Sequence, residues 1–309
     1  MAIANARGWR PVYLKEVTPG TTPGSAGTVI RSTGGGGRIQ FSSEDSAETT
    51  LIETPDFIRT DADGTITLNG EWSYGALHWL LEGIHGNTFS TNVLTVGSTL
   101  QTFTYEDQWL NIDTPKYLPF KGCVVERLTI NYTRGKVTWS ATLRPMKIPT
   151  AYALTSAFTG GPTAAPTNRI ISHVTGLQLA QEGGALDLKG TVGISQFSLE
   201  FVRPAILYKQ VGSLSSADID QGMFRASGTV SCWFKDTTIL DKVLGDTLSS
   251  LSFTIGNQSA KNENYLFTST SFLDGGTEPV SLNNGVLQTF QFGSRADATN
   301  TSSKITRTP

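Results

Sequence analysis

The stretch from residue 64 to residue 86, GTITLNGEWSYGALHWLLEGIHG, changes hydrophobic period in its middle, and that change limits what the chain can fold into. From Thr65 to Trp72 the side chains alternate. Ile66, Leu68 and Trp72 share one face and Thr65, Thr67, Asn69 and Glu71 the other, which predicts a half-buried strand with a polar second face. From Ser73 the spacing turns helical. Leu77, Leu80, Leu81 and Ile84 form one stripe, Ser73 is the expected N-cap and Gly86 the expected stop. A strand that hands over directly to a short, core-facing helix calls for a sheet with a helix packed on it.

The same handover recurs at residues 228–246, GTVSCWFKDTTILDKVLGD. Gly-Thr-Val-Ser echoes Gly-Thr-Ile-Thr, Val230 and Cys232 share a strand face, and Asp236 is placed to cap a helix whose stripe is Ile239, Leu240, Val243 and Leu244, closed by Gly245. Strand, cap, stripe and glycine recurring in order point to an internal duplication.

Other segments fit many short strands. CVVERLTINYTRGKVTWSATL predicts a hairpin in which Val124, Leu128, Ile130 and Tyr132 face Val137, Trp139, Ala141 and Leu143 across a turn at Arg134-Gly135. In VGISQFSLEFV, Phe197, Leu199 and Phe201 point in while Gln196, Ser198 and Glu200 point out. Trp72, Trp139 and Trp233 are expected on core faces. A second turn is expected at Gly183-Gly184. The proline- and glycine-rich run at 145–168 reads as a linker, which divides the chain into a first module (1–150), a connector (151–168), a second module (169–293) and a flexible polar tail (294–309). Residues 18–37 read as a long N-terminal arm, expected to be disordered in the free subunit and to order between stacked copies, with the glycines at 34–37 as a hinge.

Catalytic patterns are not evident. The four glycines are not followed by Lys-Ser/Thr, no serine sits in a G-x-S-x-G elbow, and His78, Glu82 and His85 lack a zinc-protease spacing. Asp61-Ala-Asp63-Gly64 departs from a calcium loop and reads as a turn before a strand. Cys123 and Cys232 read as two buried thiols. Neither a cofactor nor a metal is expected. The net charge of −2, without a basic run, leaves no footprint for gripping nucleic acid. No signal peptide or membrane span is expected.

With these pieces placed, the chain resembles the tail tube proteins of long-tailed bacteriophages with flexible, non-contractile tails. The resemblance rests on GEWSYGALHWLLEGIHGN, on FKGCVVERLTINYTRGKVTWSATLRP, on FRASGTVSCWFKDTTILDKVLGD and on the N-terminal arm. It implies a mainly β fold of two tandem β-sandwich or half-barrel tube modules, each with one short flanking helix. It implies a structural virion protein, assembled in the host cytoplasm, that forms stacked rings through which double-stranded DNA passes without specific binding. The partners so implied are further copies of the chain, a tape measure protein, and tail terminator and distal tail proteins. Because tube proteins with one module form hexameric rings, two modules per chain imply homotrimeric rings, with a homohexamer as the alternative. Lumen candidates are the polar faces: Thr67, Asn69 and Glu71; Arg127, Thr129 and Asn131; Gln196, Ser198 and Glu200. Inter-ring arm candidates are Thr18, Pro19, Gly20, Pro23, Gly24, Gly34 and Gly37. The rival reading is a two-module β-sandwich binding protein of carbohydrate-binding or adhesin type.

Overall fold

The computed structural model describes residues 6–45, 57–132, 136–166, 168, 173–181, 184–186, 193–235, 237–256, 261–278, 285–296 and 301–308. The expected turn at Arg134-Gly135, Gly183 and the cap Asp236 lie outside them. The chain is mainly β. Its first half contributes β1 (Trp9–Lys15), β2 (Thr28–Val29), β3 (Gly34–Asp45), β4 (Phe57–Glu71), α1 (His78–His85), β5 (Val93–Thr95), β6 (Phe103–Trp109), β7 (Lys116–Tyr132) and β8 (Val137–Arg144). Its second half contributes β9 (His173–Gln181), β10 (Gly184–Leu186), β11 (Ile194–Val202), β12 (Ala205–Tyr208), β13 (Asp218–Gln221), β14 (Arg225–Trp233), α2 (Thr238–Leu244), β15 (Ser249–Gly256), β16 (Asn262–Glu278), β17 (Leu287–Ser294) and β18 (Lys304–Thr308).

The strand path runs twice. In the first half the hydrogen-bonded order is β2-β1-β6-β7-β8-β4-β3, and in the second it is β10-β9-β15-β16-β17-β14-β11, every pair antiparallel. A helix follows β4 and another follows β14 at equivalent points. The long strand β7 pairs with β6 along its first part and with β8 along its second, and β16 pairs likewise with β15 and then with β17. β11 joins the halves by pairing with β7 from Phe197↔Tyr132 to Val202↔Arg127, which makes the sheets continuous. The pairing also corrects the register of the repeat. Ile66 is opposite Leu143 and Gly228 opposite Phe292, at equivalent points beside a bulge, so Gly228 matches Ile66 and not Gly64. The slip is an even number of residues, so it preserves the buried face.

The core follows the period-two faces. Ile66, Leu68, Trp72, Leu128, Ile130, Trp139, Phe197, Leu199 and Phe201 are all buried, and Leu77 with Leu80, Leu81 and Ile84 of α1 belongs to the same core cluster. Gly86 ends α1 in the left-handed conformation at φ 61° and returns its N–H to the Glu82 carbonyl. Ser73 does not cap this helix; α1 begins at His78, with Leu77 at the N-cap position and Ser73 buried. In α2 Ile239 and Lys242 are buried, Leu240 and Val243 are half-buried, and Leu244 is 77% exposed. Trp233 is 42% exposed, because it follows buried Cys232 and so falls on the opposite face. A bulge between Val125 and Arg127 puts Val125, not Val124, beside Leu143 in the main core, while Val124 packs with Met146 and Ile219.

Three expectations about loops change. The glycines at 34–37 pair with β4 and are not a hinge. A Cβ on Gly37 would lie 2.1 Å from the Phe120 ring and one on Gly35 2.0 Å from the Thr67 carbonyl oxygen, so glycine here permits close approach. Residues 61–64 lie inside β4, where Lys209 pairs with Asp61 at 2.9 Å. The polar C-terminus holds a strand: β18 pairs with β16 and with β5, burying Ile305 and Ser303. Strand pairing, the buried Ile305 and polar contacts of Ser303 and Arg307 with α1 together hold a segment that composition alone marks as loose.

Candidate assembly surface

Directly opposed residues on neighbouring strands share a sheet face, so the registers identify a surface. One row runs Asn69, Ser140, Thr129, Glu200, Ser227; the next runs Glu71, Thr138, Asn131, Ser198, Thr229, Gln291, Asp274. Thr67 and Arg127 flank the first row through Thr142, and Gln196 flanks the second beside Ser231. All nine lumen candidates therefore lie on one polar face, continuous over the eight strands β3-β4-β8-β7-β11-β14-β17-β16. The reverse face is the buried core.

Charges on this face are mixed. Glu71 is ion-paired with Lys136, and Glu200 with Arg127. Arg144 lies 3.4 Å from Glu126 and 3.7 Å from Asp63. Such a face offers neither a basic track nor a strongly acidic one. Hydroxyl ladders fill the gaps, as between Ser198 and Thr229 at 2.7 Å and Ser231 and Thr289 at 3.1 Å.

The arm candidates do not form one site. Thr18, Pro19 and Gly24 are exposed, Pro23 is half-buried, Gly20 is buried, and Gly34 and Gly37 belong to β3. Residues 18–37 are folded onto the body by buried carboxylates that composition did not reveal. Glu16 accepts the Gly20 N–H at 2.8 Å, the Gly122 N–H at 2.9 Å and the Thr104 hydroxyl at 2.7 Å. Asp107 accepts from the Gly37 N–H, the Trp9 indole and the Tyr105 hydroxyl at 2.6–2.7 Å, and its burial raises its pKa above the usual carboxylate range. Glu106 holds the proline-rich connector through Ser156 and the Ala157 N–H, both at 2.7 Å. The signal was available in FTYEDQ, where three consecutive polar residues continue an otherwise buried strand.

Buried polar contacts also tie the halves together. Glu263, fully buried, accepts from the Trp72 indole at 3.0 Å, the Tyr265 hydroxyl at 3.0 Å and His78 Nε2 at 2.8 Å. Arg307 donates to His78 Nδ1 at 3.1 Å, which fixes the proton on Nε2. His85 donates from Nδ1 to the Leu81 carbonyl at 2.9 Å and accepts at Nε2 from the Ser303 hydroxyl at 3.1 Å. Burial first, then the nearby Arg203, lowers its pKa from 6.5 to about 4. Cys123 and Cys232 are buried thiols, not joined in a disulfide. Among the described residues no three His, Cys, Asp or Glu side chains cluster as a metal site, and no helix is long and apolar enough to cross a membrane.

The eight-strand face ends in two open edges. β3 pairs only with β4, and β16 beyond Phe272 pairs only with β17, among the described residues. An unpaired edge is a template for another strand. A comparison with curated proteins gives no match. A family model described as phage tail tube protein matches residues 12–294.

Proposed function

This chain belongs to the phage tail tube protein family, a component of the virion tail, and on that premise we propose that it assembles with copies of itself into closed rings whose stacking forms the conduit for DNA. The observation that carries the reading is the continuous polar face on eight strands, backed by core and bounded by an open edge on each side. Joining edge to edge removes both edges and turns the polar face toward a lumen. The role is structural, not catalytic. A binding-module reading has less support, since Trp72, Trp79 and Trp139 are buried.

Ring size follows from geometry. At a strand spacing of about 4.8 Å and a tilt of roughly 40°, three copies give a barrel of about twenty-four strands with a backbone radius near 24 Å. Two copies give about 16 Å, a channel of porin size that inward side chains narrow below what a hydrated duplex needs, and six give about 48 Å. Three chains is therefore the preferred number, with six chains as the alternative if only one half lines the bore. The mixed-charge face suits passage, because a basic wall would displace counterions and hold the duplex. Exposed arm residues Thr18, Pro19 and Gly24 are assigned to contacts between rings, and tape measure, terminator and distal tail proteins to the lumen and tube ends. Negative-stain electron microscopy of the concentrated protein is the test: tubes support the reading, and a persistent monomer at high concentration refutes it.

A further inference from the structure

The β7–β11 seam inside the chain offers a template for the seam between chains. β7 and β16 carry the same bulge: Val125↔Leu143 is followed by Arg127↔Thr142, and Phe272↔Phe292 by Asp274↔Gln291. Arg127 and Asp274 therefore occupy equivalent positions, as do the bulged residues Glu126 and Leu273. On the other side, Gly37 is opposite Ile66 and Leu199 opposite Gly228, which are themselves equivalent. Arg38 then matches Glu200, Gln40 matches Val202 and Phe41 matches Arg203.

The intrachain seam is held by the Arg127–Glu200 ion pair and by the Arg203 N–H donating to the Glu126 carbonyl at 2.8 Å. The matching residues on the open edges carry the same pair with its charges exchanged: Asp274 on β16 and Arg38 on β3. Both are exposed, and neither makes an ion pair among the described residues. The residues matching Arg203 and Glu126 are Phe41 and Leu273, two large apolar side chains 44% and 68% exposed.

We propose that β3 of one copy docks antiparallel on Asp274–Thr277 of β16 in the next copy, with Gln40 opposite Asp274, Arg38 ion-paired to Asp274 and Phe41 covering Leu273. This rests on the ring reading above and adds its register. The charge exchange also directs assembly. β11 placed on another copy's β16 would set Glu200 against Asp274, and β3 placed on β7 would set Arg38 against Arg127, so both wrong pairings meet like charges. Only alternation of first and second halves around the ring satisfies every seam.

The full-length chain tests this in two ways. Arg38→Glu and Asp274→Arg should each raise the concentration needed for tube formation about tenfold, or 1.4 kcal/mol per seam, while leaving the monomer's melting temperature unchanged. The double variant should restore assembly. Gln40→Cys with Asp274→Cys, assembled above the raised threshold that loss of the Asp274 charge brings, should cross-link neighbouring chains in oxidised tubes, since both native cysteines are buried. Wild-type tubes whose double-cysteine form does not cross-link, or a double charge variant as defective as the singles, would overturn the register and leave the ring reading standing. Failure of the wild-type protein to assemble at all would instead defeat the ring reading.

Discussion

Acidification should loosen this fold through one side chain. His85 is enclosed by α1, Phe201, Phe224 and Ser303, and its neutral form satisfies both ring nitrogens. Because the folded pKa is about 4 against 6.5 for the free group, the unfolded chain binds a proton that the fold refuses between those values. The stabilisation is complete above pH 6.5 and is lost as pH falls toward 4. A gap of about 2.5 pH units corresponds to about 3 kcal/mol, of which about 2 kcal/mol is gone by pH 5. Urea unfolding of the monomer at pH 7.5 and pH 5, beside the non-titrating His85→Gln variant, isolates this contribution from the carboxylates. Wild type should lose about 2 kcal/mol more than His85→Gln over that interval. Equal losses in the two proteins would refute the argument.

Other outcomes follow from named contacts. Gly37→Val drives a side chain into the Phe120 ring and should cost about 1–3 kcal/mol in unfolding free energy; an unchanged melting curve would show that β3 does not lie there. Ile305→Ala removes the buried anchor of β18 and should cost about 2–5 kcal/mol, whereas a loose tail would register no change. Thr67→Lys with Asn69→Lys places two cations at exposed positions of the polar face, away from the Arg127–Glu200 seam; tubes should still form while DNA delivery falls, and normal infectivity would count against a lumenal position.

The parts legible in sequence were those set by local alternation. Ile66, Leu68 and Trp72, then Leu128 and Ile130, then Phe197, Leu199 and Phe201, declared their faces because a strand's period is two and burial is one-sided. What escaped was non-local or a matter of one residue. The bulge at Glu126 exchanges Val124 for Val125 without leaving a compositional mark. The pairing of the glycines at 34–37 depends on Phe120, far along the chain, and the fixing of the C-terminus on a slot beside β16. The edge residues Arg38 and Asp274 were invisible as a pair, because only the duplicated register shows that they occupy the positions of Glu200 and Arg127.

The proposed tube wall sets both halves of each chain side by side. A three-dimensional reconstruction of the assembled tube tests it most directly. Three chains per ring, with approximate sixfold symmetry and the face bearing Thr129 and Ser198 toward the bore, is the predicted result. Six chains per ring, with residues 169–293 projecting outward, would contradict it.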